Sequence, residues 1–300
     1  LGFQIEGVIP ALITPFTDDL KGINEEGLRE NVSRLLEAGV HGVVPAGTTG
    51  ESSTLSHAEH RRVIEIVVDE VNGKVPVIAG AGSNSTREAL ELSTYAEDVG
   101  ADAILSVVPY YNKPPQEGLF IHFSEIAEAV ECPIILYNIP SRTGCALEPE
   151  TAAKLAEEHS HIVGIKEASG DMDVVQRFIE ETPDDFVLIS GVDELTLPIL
   201  AVGGAGVISV TANVAPELMV EMYEAWKGGD VKRARELHYE LLPLHRALFT
   251  ETNPIPVKAA AELVGMASSP PRPPLKEARE DTKELLRREL EKLGLLSEGE

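Results

Sequence analysis

Lys166 lies in the run HIVGIKEASG, at the end of an apolar stretch, Ile162 to Ile165, that reads as a buried strand. An ammonium group there is costly unless its charge is paired or its pKa is depressed. Depression leaves neutral amine at ordinary pH, and neutral amine attacks carbonyl carbon. The structural alternative is a lysine that snorkels to solvent or pairs with the adjacent Glu167.

Three other segments carry groups that could serve such an amine. In GTTGE, Gly47 and Gly50 allow a tight turn that brings amides close to an anion, and Thr48 and Thr49 add hydroxyls. Alone the motif is weak, because a Ser/Thr pair at a helix start is often only a cap. Both roles can hold together, since one helix N-terminus can bind a carboxylate through amides and hydroxyls. In YNIPSRTG, Tyr137 at a strand end is suited to move protons at an imine carbon, or else to fill the core with its hydroxyl bonded to a loop. Arg142 offers a donor fork for a carboxylate, or a surface ion pair. In PYYNKPP, Tyr110 and Tyr111 are adjacent aromatics on a loop, fit to pack on a partner subunit or enter a site. Lys113 in the same loop is the rival imine former, ranked lower because its surroundings are polar.

These residues need a scaffold, and the apolar pattern supplies one. Short β-rich segments recur at 7–13, 42–47, 75–80, 103–109, 133–140, 162–167, 186–191 and 206–210. Between them lie helix-length amphipathic stretches, among them 25–37, 56–71, 86–99, 119–129 and 171–181. Continuous rather than alternating apolar strands point to a parallel sheet buried on both faces. Eight such units predict an α/β fold of the (β/α)8 TIM-barrel type over 1–228. A doubly wound open sheet is disfavoured, because ITPFTDD follows the first strand where a GxGxxG turn would be needed. Glycines 47, 50, 80, 82, 144, 170 and 191 fall just beyond strand ends, the rim where barrel sites assemble.

After Gly228-Gly229 the pattern turns helical, predicting a small C-terminal helical domain over 229–300. Its expected helices are 231–242, a segment near 245–250, 255–264, and 276–293 after the proline-rich piece SSPPRPP, read as a rigid connector rather than a peptide ligand. Asn253, Pro254, Pro256 and Lys258 read as an interdomain fastening rather than as chemistry.

The net charge of −25 and pI near 4.7 argue against nucleic-acid binding, since no basic stripe offsets the acidic surface. The acidity fits either a high-salt cytoplasm or an ordinary acidic protein. No apolar run reaches membrane-spanning length and no secretory leader is visible, so a cytoplasmic location is expected. Cys132 and Cys145 lack CxxC spacing and are expected as free buried thiols, and no metal site is expected.

Taken together, GVIPALITPF, AGTTGESSTLSHAEH, GAGSNST, VVPYYNKPPQEGL, LYNIPSRTG, VGIKEASGD, SGVDE, GVISVTAN and NPIPVKAA make the chain resemble the dihydrodipicolinate synthases over essentially its whole length. That family sits in the superfamily of pyruvate-dependent class I aldolases, with N-acetylneuraminate lyase. The lysine segment marks the superfamily. Thr48 and Thr49, YYNKP, and Arg142 are more specific to the synthases.

The resemblance implies a Schiff base between Lys166 and pyruvate, then condensation with L-aspartate 4-semialdehyde on the route to L-lysine through diaminopimelate. It implies a proton relay of Tyr137, Thr48 and Tyr111, with Tyr111 entering from a neighbouring subunit of a homotetramer built as a dimer of dimers. Arg142 would hold the semialdehyde carboxylate, Thr48 and Thr49 the pyruvate carboxylate, and Gly191 and Ile208 would line the pyruvate pocket, where Val207 and Ile208 serve equally as barrel filling. No metal or organic cofactor is called for, because a protonated imine is itself the electron sink. Ser52, Ser53, His57, His60, Asn84, Glu88 and Tyr110 match the polar positions at which many members bind inhibitory L-lysine. Read on their own, His57 and His60 look like a surface pair on one helix face, and HAEH is not the metalloprotease motif. The alternatives are another pyruvate aldolase, acting on N-acetylneuraminate or a 2-keto-3-deoxy sugar acid, and a noncatalytic barrel serving as a binding module. The first would have less use for Arg142, and the second would tolerate loss of Lys166 or Tyr137.

Overall fold

A computed structural model describes residues 5–296; the terminal residues of the two expected domains, 1–4 and 297–300, lie outside the described residues. In chain order the elements are β1 (Gly7–Pro10), α1 (Glu25–Glu37), α2 (His57–Val71), β2 (Ile78–Gly80), α3 (Thr86–Asp98), β3 (Ala103–Val107), α4 (Gln116–Ala129), β4 (Ile134–Asn138), α5 (Pro140–Thr143), α6 (Pro149–Glu158), β5 (Ile162–Glu167), α7 (Met172–Glu181), β6 (Val187–Ser190), α8 (Thr196–Ala201), β7 (Gly206–Ser209), α9 (Pro216–Lys227), α10 (Val231–Ala247), α11 (Ile255–Leu263) and α12 (Glu280–Lys292). The fold is α/β, with a parallel sheet and a run of helices after it. Contacts gather into two compact units, one holding Pro76–Ile208 and the other Gly7–Val75 with Ser209–Glu300.

In the first unit, β2 to β7 lie side by side in sequence order, all parallel, with α3 to α8 between them. Ile104, Ile134, Leu136 and Ile165 on the strands, and Phe123 and Phe178 on the helices, are completely buried. This is the continuous apolar reading of the strands made physical, because a parallel strand covered on both faces has no solvent side. The β4–β5 pairing contains an irregularity: Ile134 opposes Ile162, but Ile135 opposes Gly164. Val163 is therefore a one-residue bulge, and beyond it Tyr137 opposes Lys166 and Asn138 opposes Glu167.

In the second unit, β1 is followed by α1 and α2, and α9 to α12 complete the core through Leu28, Leu35, Ile64, Met219, Leu237 and Leu241. The starts of α1 and α2 are encoded locally. Asn24 accepts from the Gly27 amide, and Ser56 with Glu59 forms a reciprocal capping box.

The expected second strand, 42–47, is reduced to a bridge between Ala11 and Val44. Val44 donates to Pro10 and accepts from Leu12, but Pro45 has no amide to continue the ladder and Ala46 turns into the left-handed region at φ 54°. The break expected after Leu242 is also absent, since α10 runs through Pro243. Burial of Leu237, Leu241 and Leu244, worth about 1.5–3 kcal/mol each, outweighs the roughly 3 kcal/mol cost of an internal proline. The last helix starts later than expected, at Glu280, because Glu251 holds the Arg279 amide and leaves Arg279 extended.

Candidate active site

Lys166 stands near the C-terminal end of β5, opposite Tyr137 on β4 and Ile189 on β6. Its side chain is 7 % exposed, and its ammonium lies 4.3 Å from the centroid of the Tyr137 ring. Burial pulls the Lys166 pKa down to about 8; the Asp193 carboxylate pushes against that shift, and the Arg142 guanidinium adds to it. An amine in this state is partly neutral at physiological pH, which is what attack on a carbonyl requires.

Gly191 follows β6 and donates its amide to the Glu167 carbonyl, 2.7 Å away. A Cβ on Gly191 would come within 2.6 Å of the Ala168 methyl and 3.0 Å of Lys166 Cε. Any larger residue would crowd the lysine, so Gly191 and Lys166 are brought together in space. Ile208, on β7, is 1 % exposed and belongs to the same sheet.

The neighbouring side chain on β5 points the other way, as strand alternation demands. Glu167 is buried, accepting from the Asn138 side-chain amide at 2.7 Å and from the Ser169 amide, and burial raises its pKa. Asn138 also accepts the Leu147 amide, closing the loop that carries Arg142. Glu167 is therefore bonded to Asn138 and Ser169 rather than serving as the counterion of Lys166. The sequence offers Glu167 only as an ion-pair partner of Lys166 and points to no role for Asp193 or Asn138. Asp193 is hidden in the GVDE loop, and Asn138 lacks any motif beyond adjacency to Tyr137.

Arg142 is exposed, in the single helical turn of α5, with Gly144 in the left-handed region at φ 75°. The YYNKP loop rests on this turn. The Tyr111 amide approaches the Thr143 carbonyl at 3.4 Å, and the Lys113 stem passes over Gly144, where a Cβ would meet Lys113 Cε at 2.7 Å. Tyr111 is 89 % exposed and itself left-handed at φ 74°, so its ring is held away from the chain that carries it. Asn112 in the same loop donates to the Asn84 carbonyl at 2.8 Å, which brings Tyr110 and Asn84 into one neighbourhood; Ser83 bonds to Glu88 there.

In the second unit, Thr48 is half-buried and Thr49 is 2 % exposed, its hydroxyl accepting from the Asn253 amide at 3.0 Å. Ser52 and Ser53 begin the short turn that leads to α2, with Ser53 exposed. His57 is exposed but His60 is buried, so the two do not form a surface pair. His60 precedes Val63 and Ile64 by three and four residues and shares their inward stripe. Cys132 and Cys145 are free and half-buried rather than buried. Burial pushes the Cys132 thiol up to about 12, far from reactivity. Among the described residues, no group of three or more His, Cys, Asp or Glu side chains could hold a metal ion, and no helix is long and apolar enough to cross a membrane.

A desolvated lysine at a parallel strand end, faced by a tyrosine and walled by a glycine, belongs to the class of sites that form imines with carbonyl substrates. The Dihydrodipicolinate synthetase family matches residues 4–293, and the chain belongs to that family. It is 95 % identical over 299 residues to the 4-hydroxy-tetrahydrodipicolinate synthase of Methanopyrus kandleri, covering all of both chains. The dihydrodipicolinate synthase of Aquifex aeolicus superposes with a TM-score of 0.95 at 44 % identity, over 98 % of this chain and 100 % of that one. The enzyme of Cyanidioschyzon merolae, solved with lysine bound, gives 0.94 at 42 % identity, over 97 % of this chain and 99 % of that one.

Proposed function

We propose that the chain has 4-hydroxy-tetrahydrodipicolinate synthase activity, condensing pyruvate with L-aspartate 4-semialdehyde. The observation that carries this is Lys166, buried opposite Tyr137 with its pKa drawn down to about 8, in a chain of this family. The neutral amine adds to the keto carbon of pyruvate. Loss of water leaves a protonated imine, and loss of a methyl proton then gives the enamine. The enamine carbon attacks the aldehyde, and the semialdehyde's own amine displaces Lys166 to release the cyclic product. Every proton moved in this sequence can be passed between hydroxyls, and we assign that work to Tyr137, Thr48 and Tyr111. Arg142 is assigned the semialdehyde carboxylate, Thr48 and Thr49 the pyruvate carboxylate, and Gly191 and Ile208 the wall of the pyruvate pocket.

The same reading extends to architecture and assembly. A (β/α)8 barrel over 1–228 with a helical domain over 229–300 is supported by the parallel sheet and the family match, and a cytoplasmic location is proposed with it. A homotetramer in which Tyr111 serves the neighbouring subunit is supported by the exposure of that ring. Inhibition by L-lysine through Ser52, Ser53, His57, His60, Asn84, Glu88 and Tyr110 is supported by retention of the whole polar set and by the lysine-bound Cyanidioschyzon relative.

The deciding experiment is the initial rate of semialdehyde consumption with pyruvate, run beside cleavage of N-acetylneuraminate and 2-keto-3-deoxygluconate. Dominant condensation is the expected result. Dominant sugar-acid cleavage would keep the imine chemistry and remove the substrate assignment. Repeating the condensation assay in saturating L-lysine tests inhibition, and an unchanged rate would dismiss it.

A further inference from the structure

The segment Asn253 to Lys258 contacts the GTTGE turn more closely than a passive fastening requires. Lys258 and Glu51 have side chains 1 % exposed each, and their charges meet at 2.6 Å. The same ammonium donates to the Thr14 carbonyl at 3.1 Å and lies 4.4 Å from the centroid of Phe16. The second oxygen of Glu51 accepts the Arg272 amide at 2.8 Å. A buried ion pair with this much desolvation adds little net stability over an apolar pair of similar volume, so its presence calls for another reason.

That reason lies in the backbone it holds. Ala46 and Glu51, at φ 54° and 58°, are both left-handed without being glycine, and they bracket Gly47-Thr48-Thr49-Gly50. Such residues persist only where surrounding contacts over-determine them. Here the contacts come from several sides: the Glu51 amide donates to the Thr48 carbonyl at 3.1 Å, and Thr14 donates its hydroxyl to the Gly50 carbonyl at 2.8 Å. A Cβ on Gly50 would sit 3.0 Å from the Leu12 carbonyl oxygen, so the turn is seated without slack. Asn253 completes the arrangement by donating to the Thr49 hydroxyl, which leaves that hydroxyl's own proton to be offered elsewhere.

We infer that Lys258 and Asn253 are positioning residues for the recognition of a 2-keto acid carboxylate. Lys258, through Glu51, fixes the strained turn, and Asn253 fixes the donor direction of Thr49. The inference rests on the reading that Thr48 and Thr49 bind the pyruvate carboxylate.

The test compares steady-state kinetics and borohydride trapping of the full-length protein with those of Lys258→Met, of Lys258→Met combined with Glu51→Met, and of Asn253→Ala. The double variant removes the pair without leaving a buried charge, and Asn253→Ala leaves the pair intact. In every variant that retains cooperative thermal unfolding, the KM for pyruvate is expected to rise at least tenfold. The KM for the semialdehyde should stay within threefold throughout, and in Asn253→Ala, which leaves the Thr48 part of the turn held, the kcat should as well, a split that general loosening of the fold would not produce. A pyruvate KM within twofold of the parent in the double variant or in Asn253→Ala overturns the inference while leaving the function intact. Absence of any pyruvate adduct in the unmodified protein overturns both.

Discussion

Lys166 and Lys258 are both buried lysines beside an aromatic ring, one in each compact unit, and they do opposite things. Lys258 meets a carboxylate at 2.6 Å and a carbonyl at 3.1 Å, so its charge is the reason it is there. Burial draws its pKa down as well, but Glu51 opposes that directly. Lys166 has the face of Tyr137 at 4.3 Å, with Asp193 supporting its charge and Arg142 opposing it. Burial alone therefore does not make an amine a nucleophile. Which buried lysine can shed its proton depends on whether the site compensates the charge.

The comparison breaks most sharply on Lys166→Met. Borohydride trapping of pyruvate should disappear, and condensation should fall by about three orders of magnitude or more. The melting temperature should hold or rise, since a desolvated charge is replaced by a methyl thioether. A retained adduct would move the nucleophile to another lysine such as Lys113. Lys258→Met should do the reverse. It strands Glu51 and should cost about 3–5 kcal/mol of stability, read by denaturant unfolding, while saturating pyruvate still modifies Lys166. Unchanged stability would show that the pair is not coupled as its geometry requires.

Arg142→Ala should raise the KM for the semialdehyde by about tenfold to a hundredfold and that for pyruvate far less. Equal effects on both would end its assignment to one substrate. The pH dependence gives a smaller but signed effect. As pH falls below about 8, the neutral fraction of Lys166 drops, so the rate of adduct formation at subsaturating pyruvate should decline about tenfold per unit. Above about pH 8 the rate should level off, and a rate that keeps rising about tenfold per unit from pH 8 to 10 would mean that the depression is not real. At the acid end, Arg272 holds Glu59 down to about 2, far below the ordinary carboxylate value. Stability from that pair is present above the unfolded carboxylate's pKa near 4.5 and fades as pH falls toward about 2. Glu59→Gln should flatten that part of the acid-unfolding curve.

Much of this was legible in the chain. The strand segments at 103–109, 162–167 and 206–210 and the helices near 25–37, 56–71 and 86–99 correspond to observed elements, because apolar periodicity and caps such as Ser56 with Glu59 act within a few residues. The second strand was over-read because a run of apolar residues does not register that Pro45 ends the ladder and Ala46 leaves the extended region. His60 reads as a surface group in the sequence and is buried in the fold, because helix spacing gives a face but not which face turns inward. Asn253 and Lys258 were recognised as a fastening. What they grip, Thr49 and Glu51, lies about two hundred residues earlier in the chain, and no local pattern reports a contact of that separation.

Read along the chain alone, a lysine ends a buried strand, a tyrosine ends the strand before it, and glycines follow strand ends. These are consequences of residue type and short-range pattern. That Lys166 and Tyr137 face each other is a property of the assembled sheet. The pairing begins with Ile134 opposite Ile162, and in that register Tyr137 would have met Ile165. The bulge at Val163 shifts the register by one residue, and in a strand of period two that shift decides which residue stands opposite Tyr137.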